Sequence, residues 1–204
     1  MSLQSDVQAV FDAMTGGAKG NDYFCEQLAS IISGFANSCT LTCLPATLSG
    51  ADSSPSGTFS GSGTASWTVS GDKIEAELKS ACSSMQSSGD DDTLANAFAD
   101  GLDADAPVFT ISINGVTTVP GSPPVTIPSS DSGVATAVFN SSAVKTGLKT
   151  CFNNMKSMTS GGDNAFAAAL ATLVQTYYTT AVISFKGSSH LSAVTGTITV
   201  TPGS

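Results

Sequence analysis

One pattern of apolar residues at helical spacing occurs three times in this chain, and that recurrence narrows the available folds more than any other feature. Leu3, Val7, Val10, Phe11 and Met14 stand at i, i+4, i+7, i+8 and i+11, which places them on one stripe of an amphipathic helix. Ile74, Leu78, Ala81, Cys82 and Met85 repeat the spacing, and so do Val144, Leu148, Cys151, Phe152 and Met155. In the last two stripes the leucine is followed by Lys79 or Lys149 and then by a hydroxyl residue, so the likeness goes beyond hydrophobicity.

A turn rich in glycine and serine follows each stripe: Thr15-Gly-Gly-Ala-Lys-Gly, Gln86-Ser-Ser-Gly-Asp-Asp-Asp and Met158-Thr-Ser-Gly-Gly-Asp. Glycine can take the left-handed conformation that ends a helix. A second helix is expected after each turn, marked by Phe24 with Leu28, Phe98 with Leu102, and Phe166 with Leu170; the last two pairs sit in an identical Asn-Ala-Phe-Ala at 96–99 and 164–167. Capping boxes are expected from Ser5 with Gln8 and from Asp72 with Glu75, and a cap from Ser141 or Ser142. Asp22, Asp92 and Asp163 are the expected N-caps of the second helices.

Strands are predicted at 38–43, 108–113 and 181–185, each followed by another at 64–69, 134–139 and 195–200. Between them run loops of Gly, Ser and Pro, of which 45–57 and 120–128 are long for hairpins. The expectation is an α+β fold of three tandem ααββ repeats, 1–70, 71–141 and 142–204, with helices packed on antiparallel hairpins in a pseudo-threefold or linear array.

Charge removes several functions. All seven basic residues are lysine and the net charge is −9, so the arginine forks that grip phosphate and guanine are missing and the long-range field repels nucleic acid and anionic membranes. No stretch approaches the roughly 18 apolar residues of a membrane span, and Met1-Ser-Leu-Gln-Ser-Asp-Val has neither the basic start nor the apolar run of a secretory signal. Synthesis in the cytosol is the expectation.

The chemistry of catalysis is sparse too. His190, the single histidine, lies in Gly187-Ser-Ser-His and is expected to be a solvated loop residue. There is no Gly-x-Ser-x-Gly elbow, and Gly16-Gly-Ala-Lys-Gly lacks phosphate-loop spacing and follows a helix instead of a strand. Asp90-Asp91-Asp92 and the trio Asp100, Asp103 and Asp105 do not match a calcium loop. Cys25, Cys39, Cys43, Cys82 and Cys151 are odd in number and lack paired spacing, which reads as reduced, mostly buried thiols; a zinc site at Cys39 and Cys43 would have only Cys25 and His190 to complete it. Trp67, Tyr177 and Tyr178 are expected in packing roles. No catalytic, cofactor-binding or metal-binding residue is therefore assigned.

An arginine-free acidic chain of repeated ααββ units, with Gly-, Ser- and Thr-rich hairpins ending in Gly196-Thr-Ile-Thr-Val-Thr-Pro, resembles a small structural protein of a tailed bacteriophage particle. That resemblance implies a non-enzymatic virion component, in capsid decoration, neck or tail. Its partners would be itself or other virion proteins, with no nucleic acid, membrane or small-molecule substrate. A secreted or cell-surface adhesin module and a carboxylate-dependent hydrolase are the alternatives; for the latter the glutamates are Glu26, Glu75 and Glu77 alone. Charge-poor strand edges and the loops 45–57 and 120–128 are the expected contact surfaces.

Overall fold

The computed structural model describes residues 2–15, 17, 19–86 and 90–203. Among these described residues six helices are formed: α1 (Leu3–Thr15), α2 (Asn21–Ser38), α3 (Asp72–Met85), α4 (Asp91–Ala104), α5 (Ser141–Met155) and α6 (Gly162–Thr179). Each packs on the next and α6 returns to α1, so the helices make a closed ring. The apolar stripes turn inward, with Val7, Val10, Ile74, Leu78, Val144 and Leu148 all buried, and burial of each such side chain contributes about 1.5–3 kcal/mol.

The helix caps differ from the sequence expectation. Ser2 and Ser5, not Ser5 and Gln8, exchange backbone-to-hydroxyl bonds of 3.0 and 3.2 Å, because α1 starts early enough to bring Leu3 onto the stripe. Gln8 instead bonds Asp12 and Asp163. At α3 the cap residue is Gly71, and Asp105 at the end of α4 accepts from the Lys73 N–H, at 3.3 Å, and from the Ser70 hydroxyl. Glu75 is drawn to Lys79 one turn on, at 2.8 Å. Asn140, not Ser141 or Ser142, caps α5. Asp90, not Asp92, caps α4 in a reciprocal box with Thr93, while α2 and α6 follow Gly20 and Gly161 without a side-chain cap, leaving Asp22 and Asp163 in their first turns.

Among the described residues seven strands form one antiparallel sheet: β1 (Thr40–Leu44), β2 (Leu48–Ser53), β3 (Ser56–Thr68), β4 (Val108–Val119), β5 (Val125–Val138), β6 (Val182–Gly187) and β7 (Thr195–Thr201). Their order is β1-β7-β6-β5-β4-β3-β2. β1 also lies against β3 without sharing a ladder, so the sheet curls until it is nearly closed. The strand edges expected to be free for pairing thus largely face each other. Loop 45–57 is not structureless: most of it is strand, β2 and the start of β3, paired from Leu48 opposite Gly61 to Ser53 opposite Ser56. Strand β5 likewise begins at Val125, which shortens the expected loop 120–128 to a tip between β4 and β5. Backbone N–H and C=O groups at these positions are satisfied by the ladder instead of water.

Because every helix pair is left toward a strand, and α3–α4 and α5–α6 are also entered from one, the helices stand with one end on the sheet and their connecting turns at the far end. Trp67, Phe109, Phe139 and Tyr178 fill the junction, with ring centroids 5.6–6.2 Å from Trp67, whose indole N–H donates to the Ala36 carbonyl at 2.7 Å. At the far end Phe166 meets Phe11, Phe98 and Phe152 at 5.6, 6.0 and 5.7 Å.

Candidate functional site

Beyond the level of β6 and β7, strands β2 to β5 continue and curl tightly. Glycine makes that curl possible: Gly61 and Gly115 face each other across β3 and β4, and a Cβ on them would fall 2.5 and 2.8 Å from the buried Phe59 ring. Side chains there would displace the ring from the core. The curl brings together residues from strands that are not neighbours. Asp52 of β2, its carboxylate inaccessible to solvent, accepts hydrogen bonds from the hydroxyls of Thr117 on β4 and Ser129 on β5, the latter at 2.6 Å, and from the Ser54 N–H at 2.9 Å.

His190 completes this cluster. It is not the solvated loop residue expected from sequence: its Nε2 lies 3.3 Å from Ser129 Oγ and 4.0 Å from Asp52, and its side chain is 24% exposed. Its carbonyl accepts from the Ser53 N–H at 3.1 Å, so the loop 188–194 is tied to β2. On the other side Asp131 of β5 accepts from the Ser189 hydroxyl and from the N–H groups of Ser189, Leu191 and Ser132, the last three at 3.0, 3.1 and 2.8 Å. Leu191 and Val194 are thereby pressed fully into the core. The loop acts as a latch joining β2 to β5 over the open end of the sheet.

Electrostatics fit a structural role. Burial alone would raise the Asp52 carboxyl, but the bonds from Ser129, Thr117 and Ser54 outweigh it and hold the group below the ordinary carboxylate range. Asp131 is held lower, at about 2, where burial is again outweighed by bonds from Ser189, Leu191 and Ser132. Asp52 is covered only thinly, since few atoms lie around it at longer range although none of its side chain meets solvent. Serine, histidine and aspartate are all present, yet they do not form a nucleophilic triad. Ser129 donates to the carboxylate directly, the Nδ1 of His190 meets Ser189 at 2.9 Å instead of Asp52, and Ser129 is 8% exposed.

Of the other acids considered for metal binding, four are used by the fold: Asp90 in its cap, Asp92 with Lys149 at 2.7 Å, Asp103 with Ser141 and Tyr177, and Asp105 at the start of α3. Among the described residues no three His, Cys, Asp or Glu side chains converge, and no helix is long and apolar enough to cross a membrane.

The cysteines are dispersed apart from one pair, Cys25 and Cys82, whose sulfurs lie 3.6 Å apart between α2 and α3. Burial pushes the Cys25 thiol up to about 12, and the bond with Cys82 adds to this. Burial raises Cys39, Cys43 and Cys151 as well. Thiolates are the reactive form, so Cys25, Cys39, Cys43 and Cys151 are expected to react slowly with Ellman's reagent in the native protein at pH 8, and five thiols are expected once it is denatured without reductant; Cys82 is only half-buried. More than one fast thiol in the native protein would contradict this burial.

Two surfaces remain. The outward positions of the sheet carry Thr40, Thr42, Thr197, Thr199, Ser184 and Thr136 with Val134, Val138 and Val182, and Lys186 as the one charged side chain; all are exposed. Thr136, Ser184 and Thr197 are aligned across β5, β6 and β7. By contrast every acidic residue except Asp52 and Asp131 lies on a helix or beside one. The second surface is an apolar depression at the far end of the helix ring. No protein-family model, curated protein or solved structure matches the chain.

Proposed function

We propose that the protein is a non-enzymatic structural component that assembles with itself or docks on a repeated protein lattice, as a virion constituent would, through the outward face of its sheet. The observation that carries this reading is the segregation of charge. An acidic protein whose acids, apart from the inward Asp52 and Asp131, lie on or beside the helices presents a broad sheet face of hydroxyls and valines that a neighbour can approach without repulsion or costly desolvation of ions. Contact there would rest on hydroxyl hydrogen bonds and apolar area, in keeping with the composition of the face.

We also read the chain as three ααββ copies in cyclic order. Element order, the ring of helices and the similar placement of Phe98 and Phe166 support this; β2 is then an insertion in the first copy. The strands would alternate between pairing within a copy, β4 with β5 and β6 with β7, and between copies, β1 with β7, β5 with β6 and β3 with β4. Such an object has the pseudo-symmetry to sit on a local threefold.

Thr136 and Thr197 lie on strands paired on both sides, so they report on the face and not on an edge. Thr136→Lys with Thr197→Lys is expected to abolish or weaken assembly by about tenfold or more while leaving Trp67 emission and the melting curve unchanged. Assembly of the unmodified chain, followed by light scattering and negative-stain imaging, should change little between 0.05 and 0.5 M salt, since ion pairs are scarce at this face. A protein that stays monomeric at high concentration and binds no capsid or tail protein would refute the proposal.

A further inference from the structure

We propose that the end of the helix ring remote from the sheet is a docking site for a basic amphipathic helix of a partner protein. Two adjoining depressions lie there, of 370 and 240 Å³, sharing Phe11, Phe24 and Leu94. Met14 and Met85 extend the first, and Phe152, Met155 and Phe166 line the second. Met85 is 39% exposed, although it ends the same stripe whose earlier residues form the core. Each of the three stripes thus runs past the core and delivers a methionine, Met14, Met85 or Met155, to this end. Methionine is flexible and polarizable, which suits it to receiving a partner's side chains.

Charge around the depressions selects the occupant. Asp163 stands in the wall of the smaller one, Gln8 ties it to Asp12, and Asp22 lies close enough to Cys25 to raise its thiol. Asp90 is exposed at the start of α4, one turn before Leu94. Lys79 is paired with Glu26 and Glu75, and Lys149 with Asp92; Lys156, which bonds the neutral Asn153, and Lys19, over the Tyr23 ring, keep their charge but are outnumbered by Asp12, Asp22, Asp90 and Asp163. A second copy of this chain would bring an equal set of acids to the contact and be repelled. A small ligand would find few polar groups to orient it. A helix with two apolar anchors and lysines on its flanks meets both the apolar floor and the acidic surround.

The site is separate from the sheet face, so the two can be tested apart. The probe is a fluorescein-labelled 18-residue peptide of leucine and lysine in amphipathic helical order, with a scrambled peptide and a leucine–glutamate peptide as controls. The expected result is saturable binding of the ordered basic peptide alone, weakened about tenfold by Met85→Lys, as for loss of one buried anchor. Ser80→Lys, the same charge change on exposed surface of α3, should leave it intact, as should Thr136→Lys with Thr197→Lys. Equal binding of the scrambled or acidic peptide, or indifference to Met85→Lys in a protein with native Trp67 emission, would overturn the proposal. So would a concentration-dependent dimer that Met85→Lys dissociates, which would give the site to a second copy.

Discussion

Phe166→Ala is expected to lower the stability of the protein by about 3–5 kcal/mol, the range for removing a buried aromatic ring. Phe166 is 3% exposed and its ring meets those of Phe11, Phe98 and Phe152, which come from three other helices. No single neighbour can move into the space without leaving its own partners, so the cavity should persist. Aromatic pairs add about 0.5–1.5 kcal/mol each beyond their buried area. A domain of this kind is stable by about 5–15 kcal/mol in all, so the variant should lie close to its unfolding threshold at 37 °C. Urea unfolding followed by the emission of the single tryptophan, Trp67, measures the loss. Phe24→Ala, at a half-buried ring on the edge of the same group, should cost less. A loss below about 1.5 kcal/mol for Phe166→Ala would show that the rings do not hold the helix ring together.

The second large effect is expected at Asp52. Asp52→Ala leaves the hydroxyls of Thr117 and Ser129 and the Ser54 N–H without their acceptor; Ser54 is exposed and can turn to water, but Thr117 and Ser129 are buried, and each buried orphan costs about 1–3 kcal/mol. Ser129 can turn to His190 Nε2, so the total should stay below the sum, on the order of 3 kcal/mol. Asp52→Asn keeps one acceptor oxygen and should cost less. The same carboxylates set the acid limit of the fold. Both Asp52 and Asp131 have folded values below their unfolded value, so their stabilisation is complete above about pH 4 and is lost as pH falls toward 2. Urea midpoints measured from pH 6 down to pH 2 should fall over that window, and Asp52→Asn with Asp131→Asn should flatten the fall. An unchanged slope in the double variant would remove the latch as its source. Opening of loop 188–194 can be followed independently by hydrogen exchange at Leu191 and Val194, whose N–H groups bond Asp131 and the Leu191 carbonyl.

The helices were legible because their information is local. Leu78 and Leu148 are buried for the reason their spacing predicts, and Phe98 and Phe166 follow from a shared tetrapeptide. The caps are less legible: Asp105 serves α3 from 32 residues away, and no window along the chain contains both. The place of His190 is hidden for the same reason, since its neighbours Asp52 and Ser129 are 138 and 61 residues distant. A signal did exist in the chain, for Asp52 and Asp131 are the two acids standing in Ser- and Thr-rich strand segments instead of helices.

By itself the sequence determined that six amphipathic helices would alternate with strands and that their apolar stripes and phenylalanines would form the core. These properties depend on spacing over a few residues. Only the tertiary structure decided that β1 would pair with β7 from the other end of the chain, with Thr40 opposite Thr201, that 48–53 would become β2, and that the sheet would curl far enough to bury Asp52. A strand's partners are chosen by which arrangement leaves fewest backbone groups unpaired and most apolar area covered. That choice is made among segments remote from one another, and it exists only once the whole chain is assembled.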